Sequence, residues 1–507
     1  MKLKKSKPLL ALMSALLVLS TGACSSQTPS ETSDSSQNET ASGTPIRTPG
    51  SGGTSQDDTD FKSRQGQDFT QAHDAFQTKL AREENDSDSV YEPPEGLFDL
   101  VYYPSKVGDL AAYVSSDPGD GEKHPLIIWV VGGWGNGIDD FPFCYPQWDN
   151  DQTGSAFWQS GVLTMYPSFR GGNGNPGYYE ALYGEVDDIA AAYEYAASLP
   201  YVDPDRIYLG GHSTGGTRAL LAAEYTDKFR SVFCFGAVDE IKYHNNTQFT
   251  FDTSDTEEFV MRSPVYWLDN IDTPTFLIEG EEGNSASLRN IQKVSENDNI
   301  HCYILDNADH FSALGPVTWL LARKILEDTG AEPGISITQE ELEAAMAQDP
   351  MIPLPAMTRL TIDGLNMAFS CPYIWQVEDS SEEGLFRVSL YSAYEDDNIW
   401  DMATLYLSVF AIDNDAEYEG GYLQEMARYL EEEQGYETVR DATIAGQKAI
   451  TALGTQHNDN GSTFRNLYAL LQKDDYFVEF DFYIHEGYGD DGDPLFDAIL
   501  ESVEFLE

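Results

Sequence analysis

Residues 206–223 combine a short apolar run, a glycine-flanked turn and a helical stretch, and this order constrains the fold more than any other feature. The run at 206–210 precedes the turn Gly-His-Ser-Thr-Gly at 211–215, and the apolar stretch 219–223 follows. A tight turn between a buried strand and a helix is typical of sheets whose strands alternate with helices. We therefore expect this segment to lie inside an α/β domain.

Apolar runs that resemble buried strands recur on both sides of this turn, from about residue 97 to residue 330. They occupy residues 125–131, 161–167, 231–236, 275–279 and 301–305. Helical patterns lie between them, as at 185–199, where apolar residues share one helical face. Continuous apolar strands that alternate with helices predict a mostly parallel sheet covered on both faces.

The pattern of apolar and polar residues changes after residue 330. From residue 359 the strands alternate apolar and polar side chains, as at 476–483, which predicts a half-exposed antiparallel sheet. Helices are expected near 422–433 and 495–503. The predicted segments are an export signal at 1–24, a disordered tether at 25–90, the α/β domain at 91–330, a linker at 331–356 and a smaller α+β domain at 357–507.

The N-terminus has a basic start, an apolar run at 9–19 that is too short to span a bilayer, and small residues before Cys24. This pattern resembles a bacterial lipoprotein signal, so we expect Cys24 to be lipidated. The Ser-, Thr- and Gly-rich stretch that follows predicts a flexible tether. The protein is then expected on the outer face of the cytoplasmic membrane, at the cell surface, with secretion as the alternative.

The charge of the chain excludes one class of partner. Lys and Arg total 29 against 86 Asp and Glu, a formal net charge of -57, which repels nucleic acid and anionic lipid. Membrane association is therefore expected through the lipid anchor only. The five cysteines show no zinc-type spacing, so no metal site is predicted.

Ser213 is the predicted nucleophile, because a serine hydroxyl must project from a tight turn beside a base. The base should follow the last sheet strand, and His310 comes directly after the run at 301–305. The oxyanion needs N–H donors, for which we select Trp134, in a glycine-rich loop after a strand, and Thr214. The acid should lie in the loop 280–284, where Glu282 is preferred.

The acid has three alternatives. Glu281 lies in the same loop, Asp239 follows the preceding strand, and the third alternative is that no carboxylate fills the role. As solvated charges in a loop, the two glutamates would have no catalytic part.

The motifs at 169–172, 184–189, 200–207 and 211–216 together resemble the prolyl oligopeptidase family of serine hydrolases. The resemblance covers about residues 97–330 and implies an α/β-hydrolase fold with peptidase or esterase activity. Gly283 stands where relatives usually carry the acidic Asp. The short polar segment before residue 97 has no room for the family's propeller domain.

The C-terminal domain resembles the PsbP-like fold, on the segments 369–375, 444–449 and 499–505. This likeness implies a binding or positioning module without chemistry of its own.

Two functions are expected from these features. The first is a lipid-anchored extracellular serine hydrolase that cleaves a peptide or ester bond through an acyl-enzyme on Ser213. The second is a ligand-binding surface lipoprotein with a catalytically weakened hydrolase domain. Triad chemistry implies no metal or organic cofactor, the substrate is a small molecule or a peptide, and the oligomeric state is left open.

Overall fold

The computed structural model describes residues 64, 66–143, 148–243, 246–348, 354–362, 366–373, 375–381, 385–392, 403–411, 421–457, 463–485 and 492–506. The predicted export signal with Cys24, and residues 25–63 of the predicted tether, lie outside these residues. The described residues up to 348, apart from Phe143, belong to one compact unit, and those from Leu354 onward belong to a second. Among the helices described, none has the length and apolar character needed to cross a bilayer.

The first unit is built on one eight-stranded sheet. Its strands are β1 (Phe98–Ser105), β2 (Gly108–Ser115), β3 (His124–Val130), β4 (Leu163–Pro167), β5 (Val202–His212), β6 (Val232–Phe235), β7 (Thr275–Gly280) and β8 (Ile300–Leu305). They lie in the order β1-β2-β4-β3-β5-β6-β7-β8. β2 pairs antiparallel with β1 and β4, and every other neighbouring pair is parallel. This is an α/β-hydrolase sheet, and the expected mostly parallel sheet is confirmed.

Helices flank this sheet because its central strands are apolar on both faces. All residues of β4, β6 and β7 are buried, so each face needs cover from amphipathic helices. The helices of this unit are α1 (Phe69–Ala75), α2 (Ser155–Gln159), α3 (Gly184–Ser198), α4 (Thr214–Tyr225), α5 (Thr256–Val260), α6 (Ser285–Val294), α7 (Leu314–Glu327) and α8 (Gln339–Met346).

The parallel strands place the predicted site residues at one edge. β3, β5, β7 and β8 all run in the same direction, so their carboxyl ends meet at the same side of the sheet. The glycine-rich loop after β3, the serine turn after β5 and the loops after β7 and β8 begin there. Any site built from these loops therefore lies at this edge.

The chain before residue 91 is partly folded into the first unit, which corrects the predicted extent of the tether. Asp68 caps α1 by accepting a hydrogen bond from the Gln71 N–H group, and the Phe69 ring is fully buried, 4.9 Å from the ring of Trp267. The Ala81 N–H donates to the Thr250 carbonyl over 2.7 Å. The buried Phe69 ring and these hydrogen bonds together account for the difference, since each offsets part of the entropy lost when a short polar segment becomes ordered.

The capping-box pattern from Thr338 to Glu341 predicts a helix inside the linker at 331–356, and this helix is confirmed. Thr338 caps α8, and Glu341 reaches back to the Thr338 N–H group, a reciprocal capping box. Leu342 of this helix is fully buried. Residues 338–346 therefore form a packed helix that belongs to the first unit.

The second unit is antiparallel throughout the part that the structure describes. Its strands are β9 (Met357–Ile362), β10 (Met367–Pro372), β11 (Trp375–Asp379), β12 (Leu385–Ser392), β13 (Ala403–Ala411), β14 (Thr438–Ile444), β15 (Gln447–His457), β16 (Thr463–Lys473), β17 (Tyr476–His485) and β18 (Glu504–Phe505). They form a three-stranded sheet in the order β18-β10-β9 and a seven-stranded sheet in the order β11-β12-β13-β17-β16-β15-β14. With α9 (Tyr422–Glu432) and α10 (Gly492–Glu501), it is an α+β unit with antiparallel sheets, as expected.

Candidate active site

Ser213 occupies a strained turn between β5 and α4. Its backbone has φ +57° and ψ −119°, a conformation that non-glycine residues rarely adopt. The Ser213 N–H donates to the Phe235 carbonyl over 2.8 Å, which fixes the turn against β6. The predicted serine turn at the carboxyl end of a strand is therefore present with the geometry that the motif requires.

Three glycines around Ser213 are required by close backbone approaches. A Cβ atom at Gly211 would lie 2.6 Å from the Gly215 carbonyl oxygen, and one at Gly215 would lie 2.0 Å from the Val130 oxygen. At Gly216 it would lie 2.3 Å from the Phe235 oxygen. Any side chain at these positions would push α4 away from β3 and β6.

His310 donates from Nδ1 to the carboxylate of Glu279, with 2.9 Å between Nδ1 and Oε2. The Glu279 side chain is 1% exposed and that of His310 is 21% exposed. A carboxylate acceptor places the proton on Nδ1, so Nε2 is left with a lone pair that can accept a proton. The carboxylate also accepts the N–H groups of Gly280, over 2.7 Å, and Asn284, over 2.9 Å.

This contact corrects the predicted acid, because the carboxylate that faces His310 belongs to Glu279 and not to Glu282. Glu282 and Glu281 are exposed, and Glu281 forms a 3.2 Å ion pair with an arginine of α6. Asp239 accepts hydrogen bonds from a serine and an asparagine of α6, over 2.8 and 2.5 Å. Glu279, the fifth residue of β7, lies against His310 instead of these three.

Gly283 shows the physical reason for this shift of position. A Cβ atom at Gly283 would lie 2.5 Å from Oε1 of Glu279. The Glu279 side chain therefore occupies the space that a side chain at 283 would need. Sequence reasoning missed Glu279 because it was counted as part of a strand. The available signal was an ionisable residue at the end of an apolar run that predicts a buried strand, a position that charged residues rarely occupy unless paired.

His212 brings the serine turn and the His310 loop together. Its Nε2 atom donates to the His310 carbonyl over 3.1 Å, and the two imidazole rings have centroids 4.6 Å apart. On the other side of the loop, a Cβ atom at Gly236 would lie 2.3 Å from Cε1 of His310. His310 is thus held next to the residue that precedes Ser213.

The two predicted oxyanion donors lie in segments that a hydrogen bond joins: Trp134 in the loop after β3 and Thr214 at the start of α4. Thr214 is the first residue of α4, where helix geometry leaves N–H groups without an intrahelical acceptor. Its hydroxyl donates to the carbonyl of Gly133, which has φ +91° and directly precedes Trp134. The Trp134 ring contacts Phe249 edge to face, with centroids 5.8 Å apart.

Asn136 anchors the loop that carries Trp134. Its Nδ2 atom donates to the Arg170 carbonyl over 2.8 Å and to Oε1 of Glu185 over 2.9 Å. Its Oδ1 atom accepts from Arg218 of α4 over 3.0 Å. The motif residue Glu185 thus helps to hold the loop after β3.

Arg170 and Asp188, both in the motifs that carry the family resemblance, form a buried ion pair. The guanidinium group donates from two nitrogens to the two carboxylate oxygens, each over 2.9 Å. Their side chains are 5% and 0% exposed. Such two-pronged pairing satisfies both charges where water cannot.

One group of metal-ligand side chains occurs among the described residues, away from this site. His73, Asp74 and Asp187 place ligand atoms within 4.8 Å of one another. The Lys106 ammonium group lies 3.1 Å from Asp74 and 2.7 Å from Asp187. A lysine therefore already supplies the positive charge that the two carboxylates need.

The cysteines contribute nothing to this site in the part of the chain that the structure describes. Cys234, Cys302 and Cys371 are free thiols. Burial raises the pKa of the Cys234 thiol well above its usual range, so it stays protonated and inert. Cys24 and Cys144 lie outside the described residues.

Residues 148–300 match the model of the prolyl oligopeptidase family. The matched segment contains Ser213 and Glu279 but ends before His310. The uncharacterized peptidase YtmA of Bacillus subtilis (strain 168) is 24% identical over 152 residues, which are 28% of this chain and 59% of the relative. The chain thus spans less than two thirds of that relative.

Several solved structures are similar to part of this chain. A puromycin-hydrolyzing peptidase of Mycobacterium tuberculosis has a TM-score of 0.38 and 17% identity, over 46% of this chain and 39% of its own. An esterase of Pyrococcus furiosus has a TM-score of 0.38 and 14% identity, over 49% and 96%. An acylaminoacyl peptidase of Pyrococcus horikoshii has a TM-score of 0.38 and 16% identity, over 48% and 44%.

Proposed function

We propose that this protein is a serine hydrolase that cleaves an ester or amide bond through an acyl-enzyme on Ser213. The observation that carries the proposal is the hydrogen bond between His310 Nδ1 and Glu279, on a loop that His212 joins to the strained turn of Ser213. An imidazole oriented by a buried carboxylate is the arrangement that activates a serine hydroxyl.

In the proposed reaction, the Ser213 hydroxyl attacks the substrate carbonyl carbon while His310 Nε2 takes its proton. Glu279 stabilises the imidazolium ion that forms. The tetrahedral intermediate then expels the leaving group, which receives the proton from His310. A water molecule attacks the acyl-enzyme in the same way and releases the acid product. No cofactor enters either step.

The oxyanion is proposed to accept hydrogen bonds from the backbone N–H groups of Thr214 and Trp134. Two features support this assignment. Thr214 begins a helix, whose positive dipole end favours negative charge. The hydrogen bond from the Thr214 hydroxyl to the Gly133 carbonyl fixes the start of α4 relative to the loop of Trp134 before substrate arrives, as preorganised stabilisation requires.

The substrate is proposed to be a peptide or a small acyl ester. The family match and the similarity to a Bacillus subtilis peptidase support a peptide bond. The triad itself acts on either carbonyl, because esters and amides share the same tetrahedral intermediate.

We also propose that the protein is exported and lipid-anchored through Cys24. The basic start, the short apolar run and the small residues before Cys24 support this location. Metabolic labelling with a radioactive fatty acid should mark the wild-type chain and leave Cys24→Ala unmarked. Equal labelling of both chains would contradict the anchor and leave the hydrolase proposal untouched.

The hydrolase proposal is tested by labelling the purified protein with a fluorophosphonate probe. Wild type should be labelled, and Ser213→Ala and His310→Ala should not. Ser287→Ala is the matched control, because this half-buried serine near the site hydrogen-bonds Asp239 and should not affect labelling. A folded wild type that resists the probe would contradict the proposal and favour a ligand-binding protein.

A further inference from the structure

His212 lies where three segments of the candidate active site meet. It directly precedes Ser213, and its Nε2 atom donates to the backbone carbonyl of His310 over 3.1 Å. A Cβ atom at Gly132, in the loop that leads to Trp134, would lie 3.2 Å from His212 Nδ1. One side chain thus contacts the turn of the nucleophile, the loop of the base and the loop of an oxyanion donor.

The position of the His212 ring is fixed by packing as well as by its hydrogen bond. The His212 residue is 1% exposed. Its ring centroid lies 5.4 Å from that of Phe311, and the Phe311 ring in turn lies 5.0 Å from His310. A buried ring with aromatic neighbours has few alternative rotamers, so its N–H direction is well defined.

His212 stays uncharged at neutral pH. Burial, and then the nearby His310, lowers the pKa of His212 to about 3. The neutral ring has one N–H group, and the carbonyl acceptor assigns that proton to Nε2. When His310 takes a proton during the reaction, no second positive charge opposes it from this side.

We propose that His212 is a positioning residue for His310. Its Nε2–H group holds the base loop at a fixed distance from the serine turn through the His310 carbonyl. The inference rests on the proposed function, since it concerns the base of that reaction. Loss of this hydrogen bond should allow His310 to move from its position. Displacements of about 1 Å in an active site lower the rate by up to about a hundredfold.

The test compares His212→Gln with His212→Met. Gln carries an N–H donor four bonds from Cα, as His does at Nε2, whereas Met has a methyl group there. His212→Met should lower kcat on a p-nitrophenyl ester and the rate constant of fluorophosphonate labelling about tenfold, with little change in KM. His212→Gln should recover most of both rates. His212→Phe, which keeps the aromatic packing and lacks the donor, serves as a second donor-free variant.

The outcomes separate this proposal from the hydrolase proposal. A wild type that is not labelled contradicts the proposed function. A labelled wild type with equal rates in the folded Met and Gln variants overturns the role of His212 alone. If melting curves show that neither donor-free variant folds while Gln does, the bond serves stability and the positioning role is likewise overturned. Loss of rate in a folded donor-free variant, with recovery in Gln, supports it.

Discussion

Two buried glutamates in the first unit have opposite surroundings. Glu279, at the end of β7, has three N–H groups directed at its carboxylate, from Gly280, Asn284 and His310. Glu224, near the end of α4, is 2% exposed, and neither of its carboxylate oxygens has a hydrogen-bond partner in the part of the chain that the structure describes.

The difference teaches that burial alone does not give a carboxylate a function. The donors around Glu279 satisfy an anion and direct it at one imidazole nitrogen. Around Glu224, burial alone raises the pKa of the carboxyl group well above its usual range, so this group favours the protonated form. The first arrangement supports chemistry, whereas the second reduces stability, since an unpaired buried polar group costs about 1–3 kcal/mol.

Removing the charge of Glu279 should produce the largest effect. Glu279→Gln cannot stabilise the imidazolium ion or hold the His310 tautomer, so kcat should fall about 10³- to 10⁴-fold. Steady-state hydrolysis of a p-nitrophenyl ester measures this, with circular dichroism as a check on folding. A folded variant within tenfold of wild type would place the acid elsewhere.

Removing Arg170, the partner of the buried Asp188 carboxylate, should produce the second largest effect, a loss of stability. Arg170→Met leaves Asp188 charged and buried without its guanidinium partner, which should lower the free energy of unfolding by about 3–5 kcal/mol. Lys228→Met is the control, since Lys228 and Glu194 form an ion pair with side chains 53% and 60% exposed. Urea unfolding compares them, and equal losses would contradict the importance of burial.

Replacing Glu224 should stabilise the protein. Glu224→Met removes both unpaired oxygens and should raise the free energy of unfolding by about 1–3 kcal/mol at pH 7. Glu224→Gln stays polar but cannot ionise. The difference in unfolding free energy between this variant and wild type, followed with pH, therefore measures the effect of ionising Glu224.

The sign of the pH dependence follows from the raised pKa of Glu224. Below the ordinary carboxyl range both states keep the proton, so Glu224→Gln and wild type should respond alike to pH. Above it the unfolded state releases the proton and the folded state does not, so wild type should lose stability as pH rises. Urea unfolding of Glu224→Gln and wild type at pH 4, 5.5 and 7 should show a widening gap; a constant gap would mean that Glu224 is ionised in the folded protein.

Changing the exposed glutamates of the loop after β7 should have the smallest effect. Glu281→Gln and Glu282→Gln remove the same charge as Glu279→Gln, a few residues away, but neither side chain is buried. We expect kcat/KM within about twofold of wild type, because water screens exposed charges. A loss comparable to that of Glu279→Gln would give one of them a part in the reaction.

The sequence was sufficient for the fold and for those residues whose positions follow from motif and strand order. The position of Ser213 in a tight turn follows from glycine neighbours whose backbone requirements no other residue meets, and the position of His310 follows from the end of the last strand. Both predictions depend on local geometry. The expected α/β sheet also depends only on the period and length of apolar runs.

Glu279 could not be predicted in the same way. Which carboxylate reaches His310 depends on the direction of a side chain at the end of β7, and that direction follows from the space left free by Gly283. The sequence indicates a short helix around residues 71–82, but not its packing onto the first unit, because the burial of Phe69 against Trp267 is a contact over almost 200 positions of chain. Such contacts exist only once the whole unit has formed.

The place of Glu279 affects how relatives of this chain should be sorted. An alignment column drawn at the usual acid would show glycine here and mark the domain as a degenerate copy that has lost its reaction. The carboxylate is present, four residues earlier, with its oxygens in the space that the glycine leaves open. Under the proposed function, glycine at that column together with glutamate four places before it would be the signature of an alternative triad, and chains with this pair would be candidates for the same reaction.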